Sequence, residues 1–522
     1  MNDVPTAPAD PTADAVPRPR AAAAGLLATA AALGAGELAS GILPGAPSPI
    51  LSVGRLVVDL QPPGAKEFVV ELFGTADKLA LEIGIVVVSL LVGAGLGLVA
   101  RRRFGAAASA LVGFAGLGFI SGLRDPDVVP ALAAVGTAAT AATGVIVLGW
   151  FLGGGRRAAT ESEAGASMPD WSRRGLLVRA GAVAAGSLAA VAVGRDLLEA
   201  SRRPPEDLGD LPSPSGPASV PDGAELEVEG ITPLVVPNED FYRIDTALIV
   251  PNVDRAAWRL RVYGMVDREV TLSYADLIAL GVFEQYVTIA CVSNRVGGNL
   301  IGNALWSGVR LRDVLGLAGV RPGASQLVGR SIDEWTAGMP TAWIMDESRE
   351  PMIALGMNGE PLPREHGFPA RLIVPGLYGY VSATKWLAAL ELTTLEAYDA
   401  YWVPLGWSKE APILTQSRID TPRRGSRLPA GTVTIGGVAW AMDRGVAAVE
   451  VSIDGEWRPA ETSEPISEAT WVQWRHDWTA TPGEHEIAVR ATDGDGVVQT
   501  AERTRPDPDG ARGHHSIRVT VA

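Results

Sequence analysis

Few residues of this 522-residue chain can do chemistry beyond simple acid–base exchange, and the only thiol, Cys291, leads them. It closes the apolar run EQYVTIAC and opens the loop VSNRVGGNL, in which Asn294 and Arg295 follow within four residues. A free cysteine is most often a small buried hydrophobe. A thiol at the mouth of a strand, before a glycine-containing loop with an arginine, instead sits where the thiolate is favoured, the nucleophilic and metal-binding form. One cysteine allows no internal disulfide, no redox dithiol and no CxxC cage. Two roles stay open: a catalytic nucleophile, or a single thiolate on a metal whose other ligands come from a cofactor. Five histidines, the first at His366, are too few for a His-rich metal cluster. They leave the upstream half without bis-histidine haem ligation, and there is no CxxCH.

The elements that must position these residues follow from composition. A mean hydropathy of +0.18 with 20% charged residues points to a chain partly in a membrane. A net charge of -15 argues against a nucleic-acid partner, which wants a basic face. Residues 1–20, rich in Pro, Ala and Asp, read as a disordered tail. Apolar stretches at 21–43, 80–100, 105–123 and 128–153 each approach the roughly 20 residues that cross a bilayer. The first, Ala- and Gly-rich with Glu37 inside, is the weakest candidate. Arg18, Arg20, Arg101, Arg102, Arg103, Arg156, Arg157, Arg173 and Arg174 fall on one side of an alternating arrangement, against Arg55, Lys66, Lys78 and Arg124 on the other. Positive charge is retained inside, so the N-terminus and the 154–174 segment are expected to be cytoplasmic.

A fifth apolar segment, SRRGLLVRAGAVAAGSLAAVAVGR from Ser172 to Arg195, resembles an internal twin-arginine export signal or, read plainly, a helix with a basic flank. Both readings put the residues beyond about 200 outside the cytoplasm, so residues 21–200 form a membrane region of four to five helices in the plasma (cell) membrane. Residues 201–223 read as a Pro-, Ser- and Asp-rich linker. From 224 to 411, strand-type runs (TALIVP, RLRVYGMV, YVTIAC, RLIVPG) alternate with helical pieces at Tyr274–Leu280 and Val309–Leu317, an α+β domain. From 412 to 522, alternating segments separated by Gly, Pro and Asp predict an all-β immunoglobulin-like sandwich.

Two longer segments, TIACVSNRVGGNLIGNALWSGVRLRDVLGLAGV (288–320) and MNGEPLPREHGFPARLIVPGLYGYVSATKWLAALEL (357–392), resemble the sulfite oxidase family of molybdopterin enzymes. The resemblance runs from about residue 236 to the end, with the sandwich similar to that family's dimerisation domain. The helical front end looks like a membrane-bound bacterial branch. The resemblance implies a molybdenum–molybdopterin cofactor with Cys291 as the one protein ligand, and a soft thiolate suits that metal. It places His366, Arg371 and Lys385 against the pterin or its pyrophosphate, where a dianion needs charge-assisted donors. Ser382, Thr384 and Lys385 form a cofactor-contacting turn after Tyr378 and Tyr380, while Trp386 and Leu387 belong to the core. NEDFYRIDTALIVP (238–251) matches an early pocket loop, making Phe241, Tyr242 and Arg243 cofactor or substrate residues, and Asn294 belongs to the cysteine loop.

Two departures bear on the substrate. The family's Asn-His after that arginine is here Ile244–Asp245, and its paired arginines after the cysteine are reduced to Arg295 followed by Val296. The family's active-site tyrosine is assigned to DEWTAGMP, where Trp335 stands. An indole donates but cannot accept a proton as a phenol can. The expected function is a membrane-anchored oxidoreductase of sulfite oxidase type, transferring an oxygen atom, with Arg243, Arg295 and Trp335 on the substrate side. Its substrate would be a small oxyanion or an S-oxide. Electrons pass to a separate carrier such as a cytochrome or quinone-linked protein, and the resemblance implies a homodimer. The alternatives are an S-oxide or N-oxide reductase with the same cofactor, or a non-catalytic cell-surface binding module.

Overall fold

The structure, a computed structural model, describes residues 16–62, 69, 77–125, 128–161, 173–201 and 208–522. Residues 1–15 of the expected tail, Lys66, Ser172 and the start of the linker lie outside these. The chain divides into two compact units after residue 206.

The first unit is helical: α1 (Arg18–Ile42), α2 (Pro49–Asp59), α3 (Asp77–Ala100), α4 (Phe104–Gly122), α5 (Pro130–Glu161) and α6 (Arg173–Ser201). All except α2 are long and apolar enough to cross a membrane. Helix α1 begins at Arg18, inside the stretch expected to be tail, and α5 runs eight residues past the expected end of its span. The sequence pattern gave no expectation of α2. Its 11 residues are too few to register as a span.

Helix α1, the weakest candidate by hydropathy, is the most enclosed of the five. The two facts have one cause. Its glycines let neighbouring backbones approach: a Cβ on Gly25 would sit 2.0 Å from the Gly93 carbonyl of α3, and one on Gly41 2.3 Å from the Gly194 carbonyl of α6. Small residues that pack helix on helix need not be greasy, because they face protein instead of lipid. Glu37 is fully buried, and its Oε1 accepts from Ser48 Oγ (2.6 Å) and from the Ile50 backbone N–H (3.1 Å) at the N-terminus of α2. Its Oε2 lies 3.7 Å from Arg195 Nε, and Arg195 pairs with Glu82 as well. The C-terminal parts of α1 and α6 and the first turns of α3 thus meet at one end of the bundle.

The second unit is built on four sheets, two in its α+β region and two in its sandwich. One sheet has the order β2-β1-β10-β5-β6, from β1 (Arg259–Gly264), β2 (Val270–Ser273), β5 (Gln326–Ser331), β6 (Thr336–Pro340) and β10 (Leu387–Thr393), with β1 and β10 parallel. Another has the order β3-β4-β7-β8, from β3 (Phe283–Ala290), β4 (Ile301–Arg310), β7 (Met352–Met357) and β8 (Glu360–Pro361), with β9 (Arg371–Ile373) also pairing with β7. Strand β7 is buried at all six positions, which explains its unalternating MIALGM sequence. The run TALIVP, expected as a strand, is irregular. Pro251 at its end offers no N–H to a ladder.

The C-terminal sandwich packs β11 (Gln416–Thr421), β13 (Gly431–Trp440), β17 (Val472–Ala480) and β16 (Glu461–Thr462) against a sheet of order β12-β19-β18-β14-β15, from β12 (Arg427–Leu428), β14 (Val446–Ile453), β15 (Glu456–Pro459), β18 (Gly483–Asp493) and β19 (His515–Val521). Its core includes Val451, Trp474, Ile487 and Val519. Other sandwich residues, Val438, Trp440, Met442 and Trp471, belong to the core of the preceding α+β region. Trp471 donates its indole N–H to the Leu234 carbonyl across that boundary.

Candidate functional site

Cys291 is the first residue beyond β3 and is buried, 8% exposed. Its N–H donates to the Leu300 carbonyl (2.9 Å), closing the loop 291–300 at its base. Inside the loop the Asn294 N–H donates to the Cys291 carbonyl (3.0 Å), and Asn294 Oδ1 accepts from the Leu300 N–H (3.0 Å). Asn294 therefore braces the loop. Gly297, at φ +78°, makes its turn. Arg295 is exposed, and its carbonyl accepts from the Gly298 N–H.

Tyr242 and Tyr378 reach the thiol electrostatically, and Tyr242 belongs to a cluster with Phe241, Trp306, His366 and Arg371. Phe241 stacks on Tyr242 with ring centroids 5.3 Å apart and meets the edges of Trp306 (5.9 Å) and His366 (5.7 Å). Burial raises the Tyr242 phenol far above its ordinary value, with Cys291 adding and the Arg371 cation opposing. Tyr378 is raised likewise by burial, with Cys291 contributing. Arg371, at the start of β9, is 3% exposed and lies over the Trp306 ring at 5.1 Å. Burial lowers its guanidinium to about 10. Nη1 donates to the His366 carbonyl (2.9 Å), while the buried Nε has no hydrogen-bond partner. His366, on the turn Arg364–His366, is lowered to about 4 by burial and by the Arg371 and Lys385 cations. At neutral pH it is therefore uncharged, donating from Nε2 to the Asn238 carbonyl (3.1 Å).

A second cluster adjoins the first. Lys385 Nζ donates to Asp245 Oδ2 (3.0 Å) and to the Glu365 carbonyl (2.8 Å). The same Asp245 oxygen accepts from Arg243 Nε (3.0 Å). Burial lowers Lys385 to about 8, with Asp245 opposing that fall and Arg371 and Arg243 adding to it. Arg243 thus faces Lys385, and no hydrogen bond or ring contact joins it to Cys291 among the described residues. Asp245, visible in the sequence only as a departure from a pattern, is the carboxylate that unites the two cations.

Other expected residues turn elsewhere. Ser382 spends its hydroxyl on the Leu377 and Tyr378 carbonyls, and the Thr384 hydroxyl lies 3.5 Å from the Gly329 carbonyl. Trp335 is partly buried in the turn between β5 and β6, a turn tied by the Ile332 N–H to the carbonyl of Trp386, next to Lys385. No hydrogen bond or ring contact links it to Cys291 among the described residues. Trp386 and Leu387 are core residues, as their setting predicts.

The donors left over define what these residues can hold. Arg371 keeps a buried, unpartnered Nε, Lys385 has one N–H beyond its two bonds, and the terminal amino groups of Arg243 make no hydrogen bond among the described residues. Three cations with spare N–H groups and a single carboxylate among them suit a phosphate-bearing anion. The lone thiol and the Arg371 cation both act on the Tyr242 phenol.

Residues 247–402 match the family described as oxidoreductase molybdopterin binding domain, and residues 416–489 match a bacterial Ig domain. Chicken sulfite oxidase is 30% identical over 344 residues, covering 57% of this chain and 74% of the chicken protein. The chain belongs to the sulfite oxidase family. An uncharacterized oxidoreductase of Bacillus subtilis, YuiH, is 36% identical over 154 residues, 30% of this chain and 74% of its own. Mouse mitochondrial sulfite oxidase is 33% identical over 297 residues, covering 48% of this chain and 53% of the mouse protein. The chain spans about half the length of the mammalian sulfite oxidases it matches. Family membership implies a molybdenum–molybdopterin cofactor, and the donor set of Arg371, Lys385 and Arg243 fits one.

Proposed function

We propose that this protein is a membrane-anchored oxidoreductase of the sulfite oxidase family whose α+β region binds molybdenum–molybdopterin, with Cys291 as the protein ligand to the metal. The convergence of the chain's only thiol with Tyr242, His366 and the under-partnered Arg371 in one buried cluster carries this reading. When bound, the cofactor supplies two-electron oxygen-atom transfer between Mo(VI) and Mo(IV). The protein's own residues bind and orient it. Arg371 and Lys385 neutralise its phosphate, neutral His366 fixes the segment 363–371 against Asn238, and Phe241 with Trp306 excludes water from the thiol side.

Burial keeps Tyr242 and Tyr378 protonated, so near Cys291 each offers a hydroxyl that donates or accepts a hydrogen bond but no phenolate. Arg243 is turned to Asp245 and Lys385 instead of Cys291, and Arg295 is exposed. A substrate of lower charge than a dianion, such as an S-oxide or N-oxide, is thereby favoured as the second reading beside a small oxyanion. Electrons pass to a separate carrier.

The meeting of the ends of α1 and α6 with the start of α3 supports alternating spans; the orientation, N-terminus cytoplasmic and the chain leaving α6 outside the cell, rests on the arginine and lysine count. The test is molybdenum and pterin per chain in detergent-purified protein from a cofactor-competent host, beside Cys291→Ala. About one metal per chain, lost in the variant, is expected. Absence of metal from the unaltered protein would move the reading to a binding module.

A further inference from the structure

The loop that carries Cys291 is held from outside its own domain. Arg418, on the first strand of the sandwich, is 7% exposed and spends its guanidinium in three directions. Nη1 donates to the Gly298 carbonyl of the cysteine loop (2.9 Å), Nη2 to Thr232 Oγ1 (2.7 Å) and Nε to Asp420 Oδ1 (2.6 Å). One planar fork thus fixes three segments at once, which a lysine could not do. From the last strand, His515 accepts the Ile419 N–H at Nδ1 (3.0 Å) and lays its ring on Gly297. A Cβ on Gly297 would lie 2.3 Å from His515 Cδ2, so glycine serves both the turn and this contact. Within the loop, the side-chain brace is Asn294.

We propose that the immunoglobulin-like domain acts as a clamp on the Cys291 loop, with Arg418 and His515 as positioning residues that set where the thiol points. Both act through the backbone at Gly297 and Gly298, six and seven residues beyond the thiol. The loop is rich in glycine and polar residues, so without the clamp it would open locally while the rest of the unit stays folded. The consequence for catalysis rests on Cys291 being the metal ligand; the clamp itself does not.

Because the chain has one cysteine, a thiol reagent reports on this loop alone. The experiment uses the full chain in detergent, made without cofactor. It compares the rate of Cys291 reaction with a disulfide reagent in the unaltered protein, Arg418→Met, Arg418→Lys and His515→Ala. Val451→Ala, a cavity in the sandwich core away from the loop, is the stability control. Expected is a rise of about tenfold or more in labelling rate for Arg418→Met and His515→Ala, a smaller rise for Arg418→Lys, and none for Val451→Ala at an equal loss of melting temperature. If Arg418→Met fails to fold, His515→Ala gives the same comparison with the fork intact. Equal rates in the clamp variants and the control, or unchanged rates throughout, would overturn the clamp. Metal content plays no part in the readout, so failure of the cofactor reading and failure of the clamp are distinguishable.

Discussion

Two buried charges, one in each unit, are treated in opposite ways. Glu37 in the helical unit faces an opposite charge, Arg195, and receives two hydrogen bonds from the start of α2. Arg371 in the catalytic unit has no carboxylate within 4.0 Å among the described residues, only a carbonyl and an aromatic face. Burying a charge costs several kcal/mol unless it is paired. Where folding alone is served, the pairing is built in. Where a ligand is to be bound, a cation is left short of partners, and the deficit becomes affinity for an anion.

That contrast can be broken most sharply in the bundle. Arg195→Met leaves Glu37 buried near Glu82 without its cation, and should cost about 3 kcal/mol, because the carboxylate left behind is the buried partner. Thermal unfolding of the detergent-solubilised protein, followed by circular dichroism, would show it. Equal stability would mean that the pair contributes nothing to folding.

The catalytic unit should respond next to acid. His366 and His515 are both lowered to about 4, from a value near 6.5 in the unfolded chain. The folded state resists the proton that the unfolded state takes up. Stability is therefore full above about pH 6.5 and declines as pH falls towards 4, by about 2–3 kcal/mol for each histidine. Urea unfolding between pH 7 and pH 4 measures the slope, and His366→Gln should flatten part of it.

Arg371→Met should do the reverse of Arg195→Met. The cofactor-free chain should gain about 1 kcal/mol or more in stability, because an apolar isostere replaces an unpaired buried cation, while pterin content of the loaded protein collapses. A loss of stability would show that Arg371 is a structural cation after all. Lys385 sharpens the same point with pH. Its folded value of about 8 lies below that of an exposed lysine, so between about pH 8 and 10 the cofactor-free chain becomes more stable as this lysine deprotonates, while retention of the cofactor weakens. The smallest effect belongs to Trp335→Phe, which should change metal loading by less than about twofold, since no hydrogen bond or ring contact among the described residues ties the indole to Cys291. A larger loss would bring Trp335 back to the substrate side.

The layout is legible in the amino-acid order: apolar stretches ahead of an α+β region and a sandwich, with Cys291, His366, Arg371 and Lys385 as the chemical residues. Each of those signals is local, a hydropathy run, an alternation or a motif in family order. Which of these residues meet depends on the folded chain. Arg243 stands with Lys385 because Asp245 holds both. Ser382 and Thr384 turn to backbone carbonyls, and the turn holding Trp335 is tied to Trp386 instead of the thiol. The enclosure of α1 was hidden for a related reason, since a helix of Ala and Gly reads as weakly apolar while its small side chains are what admit its neighbours. Arg418 and His515 carried no signal at all, Arg418 being 120 residues from the glycine whose carbonyl it holds. A hydrogen bond to a backbone carbonyl leaves no mark on the residue that supplies it, so Gly298 could not announce its partner.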